Sequence, residues 1–413
     1  MPFGTRAAIG GSTILAMSGT TRRLTFPTVT LLLAAATTRV AALEPPAEGA
    51  FKWDAALTAD ALRVESGVVR STALGHLDVR LGIDAAKLFG WSGTTLRIEA
   101  IADQGGKPNG RVGTLQGISN IEVRQNAVRL YATWIETEVG QGVKALAGLY
   151  DLNSEFYATD ASSTLVHPAF GIGAELGQTG KNGPSIFPAL SFGVRLKAEA
   201  LSGFYAQGAV LDAVPGDPNH LGRTEVRLSR GEGALLVAEA GWQESGADGP
   251  GPRRWGLGLW DYTRPAPGIE GAGTARNFGA YGLVQGPMFE ASKGKTVAFI
   301  RAGLARGRVN AIDAALDAGL MVERPWGESG PSSLSAGVAI ARLGREHRNA
   351  EVAAGRALRA LEAALEIDVR WLLRPGLTMQ PLVQRVWNVA GRPGTVATVV
   401  GARWIWSLGD AGN

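Results

Sequence analysis

The sequence predicts an all-β fold: a transmembrane antiparallel β-barrel of about 16 strands, preceded by a cleaved signal peptide. Three observations predict it. Apolar and polar residues alternate with period two through most of the chain. The polar face of that alternation carries both signs of charge at mid-strand positions. Trp and Tyr gather at the ends of the alternating runs.

The first element is the leader. TRRLTFPTVTLLLAAATTRVAALEPP holds a basic pair, Arg22 and Arg23, then an apolar run, then small residues ending in Val40-Ala41-Ala42. That order is a secretory signal peptide over residues 1–42, cut within a few residues of Ala42. The run is too short for a membrane-spanning helix. Residues 1–16 add nothing to this unit, so Met17 is a second candidate for the translation start. Four of the 41 basic residues, Arg6, Arg22, Arg23 and Arg39, and none of the 37 acidic ones precede residue 43. The rest is formally neutral, which removes the electrostatic basis for a nucleic-acid partner.

Residues 43–413 then read as a single barrel domain. No composition break divides them, and no window is apolar enough for a helical span. HLDVRLGID (76–84) sets Leu77, Val79, Leu81 and Ile83 against Asp78, Arg80 and Asp84. TLRIEA (95–100), SFGVRLK (191–197), TEVRL (224–228), RWGLGLW (254–260), VAFIRAG (297–303) and LSAGVAIA (334–341) repeat the pattern. In LEAALEIDVRW (361–371) every odd position is apolar, and four of the five between them are charged. A helix would spread those charges around its circumference, whereas a strand puts them on one face. The last run, TVATVVGARWIW (395–406), ends in Trp404 and Trp406. Gly-, Pro- and Asn-rich stretches such as ADQGGKPNG and VPGDPN separate the runs.

A soluble sandwich also alternates, but mixed charges at mid-strand suit a wet interior and not a dry core. Trp255, Trp260, Trp371, Trp387, Trp404 and Trp406 at segment ends resemble the aromatic girdles of outer-membrane barrels. Division among about 16 strands leaves roughly 23 residues per strand with its connection. Pro381 lies inside MQPLVQRVW (379–387), where a bulge or local break is expected.

Catalytic and metal signatures are weak. The chain has no cysteine, which removes disulfides, thiol nucleophiles and Cys-ligated metals. GKT (294–296) has Phe289 where a P-loop requires Gly. ALSFG and SLSAG lack the first Gly of a nucleophile elbow. His76, His167, His220 and His347 are isolated. Asp151, Asn153 and Glu155 in AGLYDLNSEF form an oxygen-rich cluster, but without the Gly and distal Glu of a calcium loop they read as a hydrogen-bonded connection. No cofactor or metal is expected.

The chain resembles the carbohydrate-selective outer-membrane porin family, the OprB type. ALEIDVRWLLRPGLTMQPLVQRVWN carries the C-terminal likeness, with Gln380-Pro381 and Gln384 matching the family's Gln-Pro and second Gln. GTLQGISNIE (113–122), AGLYDLNSEF (147–156) and SIFPALSFGVRL (185–196) follow the family's order upstream. One departure is that SLGDAGN follows Trp406, where such barrels commonly finish on an aromatic residue. The resemblance implies a 16-stranded barrel in the outer membrane of a Gram-negative bacterium. Its constricted pore would pass monosaccharides and similar small polar solutes by diffusion, with a weak sugar site lined by Arg and acidic side chains. The implied partners are small sugars, outer-membrane lipid and lipopolysaccharide, and the barrel-assembly machinery, with a homo-oligomer compatible with the class.

A transient sugar site needs clustered donors and acceptors, and Arg beside a carboxylate supplies both. The candidates on the polar faces are Arg80, Arg97, Glu99, Arg195, Glu366, Arg370, Gln384 and Arg403. The competing role for each is hydration of the lumen or lateral ion pairing, since wide barrels carry many inward polar residues. Aromatic residues read as lipid anchors, except Tyr205 and Trp260, which share a face with polar residues and could serve as sugar platforms. Two alternatives stay open: a general-diffusion or weakly ion-selective porin, and a secreted or periplasmic all-β carbohydrate-binding protein or enzyme.

Overall fold

Residues 361–371 form a strand that is inside out by the standards of a soluble protein. Leu361, Ile367 and Trp371 are 43 %, 40 % and 42 % exposed, while Glu362 and Glu366 are 0 % and Asp368 1 % exposed. Apolar side chains face outward and charged ones are enclosed, as expected of a wall between lipid and a polar lumen.

In the computed structural model the described residues are 49–229, 231–244, 253–271, 273–291, 294–326 and 332–409. The leader expected over 1–42 lies outside them. The strands are β1 (Phe51–Ser66), β2 (Val68–Asp84), β3 (Thr94–Gly105), β4 (Ala127–Gly140), β5 (Val143–Tyr150) and β6 (Ser191–Glu199). Next come β7 (Phe204–Asp212), β8 (Ala234–Gln243), β9 (Arg254–Pro267), β10 (Thr274–Ala291) and β11 (Gly294–Ala305). The set ends with β12 (Ile312–Glu323), β13 (Ser333–Leu343), β14 (Leu361–Arg374), β15 (Leu377–Trp387) and β16 (Val396–Gly409). Each pairs with its sequence neighbours, and β1 pairs antiparallel with β16, so the sheet is a closed barrel. Closure removes the free edges that lipid could not satisfy.

The connections differ at the two ends. One end carries the turns at 141–142 and 375–376, together with the start of β1 and the end of β16. The other carries 106–126, 151–190, 213–233 and 344–360. Long connections mark the extracellular end and short turns the periplasmic one. Among the described residues four short α-helices occur in connections: α1 (Ala85–Phe89), α2 (Pro108–Val112), α3 (Ala174–Gly177) and α4 (Arg345–Ala353).

Two local expectations are corrected and one is met. TEVRL (224–228) is not a strand; it runs in the connection between β7 and β8. The Thr224 hydroxyl donates to the Leu130 carbonyl of β4, and Leu228 lies on the outer surface beside Phe192, Val194 and Val210. Pro381 causes no bulge toward β16, where it sits opposite Ala402 in an unbroken register. Toward β14 the pairing stops at Asp368 opposite Leu382 and resumes at Trp371 opposite Met379 in the same register, a local break. The lumen face of β7–β12 is also not uniformly polar, since Leu211, Leu235, Val237, Tyr281 and Phe299 are buried there.

Candidate functional site

Those inward apolar residues have a reason: two connections fold back into the barrel and need a surface to pack on. The segment between β5 and β6, residues 151–190, brings Leu152, Phe156, Tyr157, Ile172 and Leu176 against Leu211, Leu235, Trp260 and Leu283. Further along, Leu165 and Phe170 meet Val297, Phe299 and Met321. The segment between β3 and β4, residues 106–126, seats Ile118 and Ile121 on Leu62, Val64, Leu382 and Val399. Burial of this apolar surface supplies the non-directional part of the attachment.

Backbone groups of the segments would be orphaned inside the barrel, and wall side chains satisfy them. Glu362 accepts from the Leu115, Gln116 and Ala390 N–H groups at 2.9, 3.0 and 2.7 Å. Glu366 accepts from the Val166 and His167 N–H groups, both at 2.7 Å. Arg301 donates to the Tyr157, Ala169 and Gly171 carbonyls at 3.1, 2.7 and 2.8 Å. Glu239 accepts from the Tyr157 N–H and from the hydroxyls of Tyr205 and Tyr281. Charge-assisted hydrogen bonds of this kind contribute about 1.5–3 kcal/mol each.

The eight sequence candidates separate into groups. Glu366, Gln384, Arg370 and Arg403 hold the segments. The Gln384 amide donates to the Ile118 carbonyl at 3.0 Å and to Glu366 at 3.1 Å. Arg370 donates to the Ser163 carbonyl and to Gln380, both at 3.3 Å. Arg403 makes a two-pronged contact with Asp60 at 2.7 and 2.9 Å, and Asp60 also accepts from the Ser119 hydroxyl at 2.7 Å. Arg195 is enclosed as well, donating to Glu136 at 2.5 Å and to Glu155, at the start of the longer segment, at 2.9 Å.

Arg80, Arg97 and Glu99 keep access to the lumen, with side chains 34 %, 31 % and 13 % exposed. They form a ladder on the periplasmic half of β1–β3. Arg80 contacts Asp78 and Asp54, and lies 3.9 Å from Glu99, which is 3.7 Å from Arg97. Tyr205 and Trp260 are inward but not platforms: both are buried, Tyr205 on Glu239 and Trp260 beneath the longer segment. The other girdle residues hold their expected place, with Trp255, Trp371, Trp387 and Trp406 exposed on the outer face.

Between the two segments lies a cleft of about 200 Å³. Gln116, Asn120, Asp151, Asn153, Gln178 and Phe187 line it. It shares Gln178 and Phe187 with a wider vestibule of about 530 Å³ on the extracellular side. Sequence reasoning did not single out these residues as a site, although Gln116 and Asn120 lie in GTLQGISNIE, Asp151 and Asn153 in AGLYDLNSEF, and Phe187 in SIFPALSFGVRL. The oxygen-rich cluster is a hydrogen-bonded turn. Asp151 accepts from the Asn153 N–H at 2.8 Å and the Tyr131 hydroxyl at 2.5 Å, and Asn153 donates to the Gly171 carbonyl at 3.0 Å. Burial raises the Asp151 carboxyl above its ordinary value, opposed by the Tyr131 hydroxyl. His167 is enclosed and its pKa is lowered to about 4 by desolvation, so it stays neutral above that pH.

A closed sixteen-stranded barrel with a lipid-facing apolar belt and a polar lumen narrowed by inward segments defines a porin, a channel through the membrane. The chain belongs to the carbohydrate-selective porin, OprB family, whose model matches residues 70–408. It is an integral β-barrel of the Gram-negative outer membrane with a sugar-porin role. The high-pH structure of Pseudomonas putida OprB is similar, with TM-score 0.76 and 14 % identity over 87 % of this chain and 94 % of that one. The low-pH structure of the same protein gives TM-score 0.53 and 13 % identity over 87 % and 93 %. No curated protein matches the sequence.

Proposed function

We propose that the protein lets monosaccharides and similar small polar solutes diffuse passively across the outer membrane, and that the cleft between the two segments is the constriction where they bind weakly. One observation carries this reading. Five residues with hydrogen-bonding side chains, Gln116, Asn120, Asp151, Asn153 and Gln178, border one narrow gap together with Phe187. Amides and a carboxylate can exchange hydrogen bonds with sugar hydroxyls, and the ring offers a flat apolar face. Few contacts and an open path keep the residence short, as conduction requires. The Arg80–Glu99–Arg97 ladder then provides a polar surface toward the periplasm. Processing of the 1–42 leader and insertion by the barrel-assembly machinery belong to the same proposal.

The test is single-channel conductance of the refolded protein in a planar bilayer, titrated with glucose. Stepwise openings that fall saturably with sugar support the reading, and Asn120→Ala, Gln178→Ala and Phe187→Ala should each raise the half-blocking concentration several-fold. Openings indifferent to sugar would sink the binding constriction and return the protein to general diffusion.

A further inference from the structure

His76, isolated in the sequence, has close neighbours in the fold. It shares the inward face of β2 with Asp78 and Arg80, so one column of side chains runs from it to the Arg80–Glu99–Arg97 ladder. Directly opposite in register on β3 is Asp103, whose Oδ1 accepts from His76 Nδ1 at 2.8 Å. The other oxygen, Oδ2, accepts from Arg129 Nη2 at 3.1 Å. Arg129 also donates to the Pro188 and Leu221 carbonyls, at 3.3 and 2.8 Å. Asp103 and Arg129 are both buried. One bracket therefore fixes the imidazole and the chain immediately after Phe187.

Phe187 borders both the cleft and the vestibule. Its ring centroid lies 5.3 Å from that of His76, the planes at 90°, and 6.1 Å from that of Tyr131 at 62°. The Tyr131 hydroxyl is already engaged by Asp151 at 2.5 Å. His76 keeps a free position. Its side chain is 13 % exposed, and among the described residues Nε2 has no hydrogen-bond partner and is not closed off from solvent. A hydroxyl both donates and accepts, so it can meet Nε2 of a neutral or a charged ring.

We propose that His76 is a sugar contact, its Nε2 hydrogen-bonded to one hydroxyl of a sugar whose ring rests against Phe187, on the path from the cleft to the Arg80–Glu99–Arg97 ladder. The contact rests on the reading of the cleft as the binding constriction. Asp103 and Arg129 hold the imidazole and the Phe187 backbone before any sugar arrives, which lowers the ordering cost of binding. A cyclic sugar presents a hydroxyl and an apolar ring face together, and so fits this pair better than an open-chain polyol.

The experiment is single-channel block of the refolded protein in a planar bilayer, by glucose and by each of its monodeoxy derivatives. His76→Phe keeps a ring beside Phe187 without a nitrogen. His76→Asn keeps a donor for Asp103 but puts no atom at the Nε2 position, and it carries the comparison if His76→Phe does not fold. The heat-shifted band on a semi-native gel reports folding. Each folded variant should raise the half-blocking glucose concentration about fivefold, the net worth of one hydrogen bond, with open-channel conductance unchanged. One monodeoxy sugar should block wild type as weakly as glucose blocks the variants, and lose nothing further in them. An equal loss for glucose and every monodeoxy derivative would overturn the contact, leaving His76 only a support for Phe187. Undiminished block in the folded variants would overturn it too. A wild-type channel that no sugar blocks would instead remove the binding constriction itself, and this contact with it.

Discussion

The carboxylate of Glu366 on β14 receives the N–H groups of Val166 and His167 side by side, each at 2.7 Å, although 200 residues separate Glu366 from Val166 in the chain. An inward wall residue thus grips the longer segment by its backbone. Removing it should loosen the segment. Glu366→Ala forfeits two charge-assisted bonds, about 3–6 kcal/mol of attachment. Single-channel recordings should show larger, noisier openings, and protease should nick the segment faster. Glu366→Gln, which keeps one acceptor oxygen, should fall between. Wild-type conductance in Glu366→Ala would refute the gripping role.

Arg403 and Asp60 join the last strand to the first and sit directly opposite in register. Arg403→Ala leaves Asp60 buried and unpaired, which costs about 3–5 kcal/mol. The urea midpoint of the barrel refolded in vesicles should drop accordingly. Replacing both partners with Leu should recover most of the loss. Sugar block per folded channel should weaken as well, because Arg403 and Asp60 together hold Ser119, the neighbour of the cleft residue Asn120. A single-variant loss below about 1 kcal/mol would contradict the pairing.

Gly303 of β11 lies under the side chain of α3. A Cβ there would stand 1.7 Å from Glu175 Oε1 and 2.7 Å from the Tyr157 hydroxyl. Gly303→Ala should therefore push α3 away from the wall, lower the melting temperature and alter conductance. Glu175→Ala in the same chain should restore much of both, because it removes the colliding carboxylate. Calorimetry of the single and double variants checks this, and additive losses would count against the contact.

Glu175 also predicts a pH dependence. Burial, and then the nearby Asp317 charge, push its carboxyl up to about 8. The folded state therefore binds a proton that the unfolded chain releases near its ordinary value. Stability contributed by the neutral form is fully present at acid pH, declines as pH rises above that ordinary value, and is gone above about 8. Unfolding midpoints measured between pH 5 and 8 should fall more steeply in wild type than in Glu175→Gln. Parallel pH profiles would show that the carboxyl does not titrate in this window.

The wall follows from the local order of residues alone. Alternation is a property of adjacent residues, so Leu361, Ile367 and Trp371 declared one face and Glu362, Glu366 and Asp368 the other without reference to any other part of the chain. Strand-end tryptophans and the charged inner face then selected a membrane barrel over a sandwich. What the inner face does was decided only by tertiary structure. Arg80 and Arg403 look alike in sequence, each an arginine in an alternating run, yet one borders the lumen and the other is locked to Asp60. The difference arises because residues 106–126 and 151–190 fold back and cover some inward side chains and leave others open. Partners such as Gln384 and the Ile118 carbonyl are 266 positions apart, beyond the reach of any local pattern. The cleft residues Asn120 and Gln178 come from different segments, and only the closed barrel, by giving both segments a common wall to pack against, brings them together.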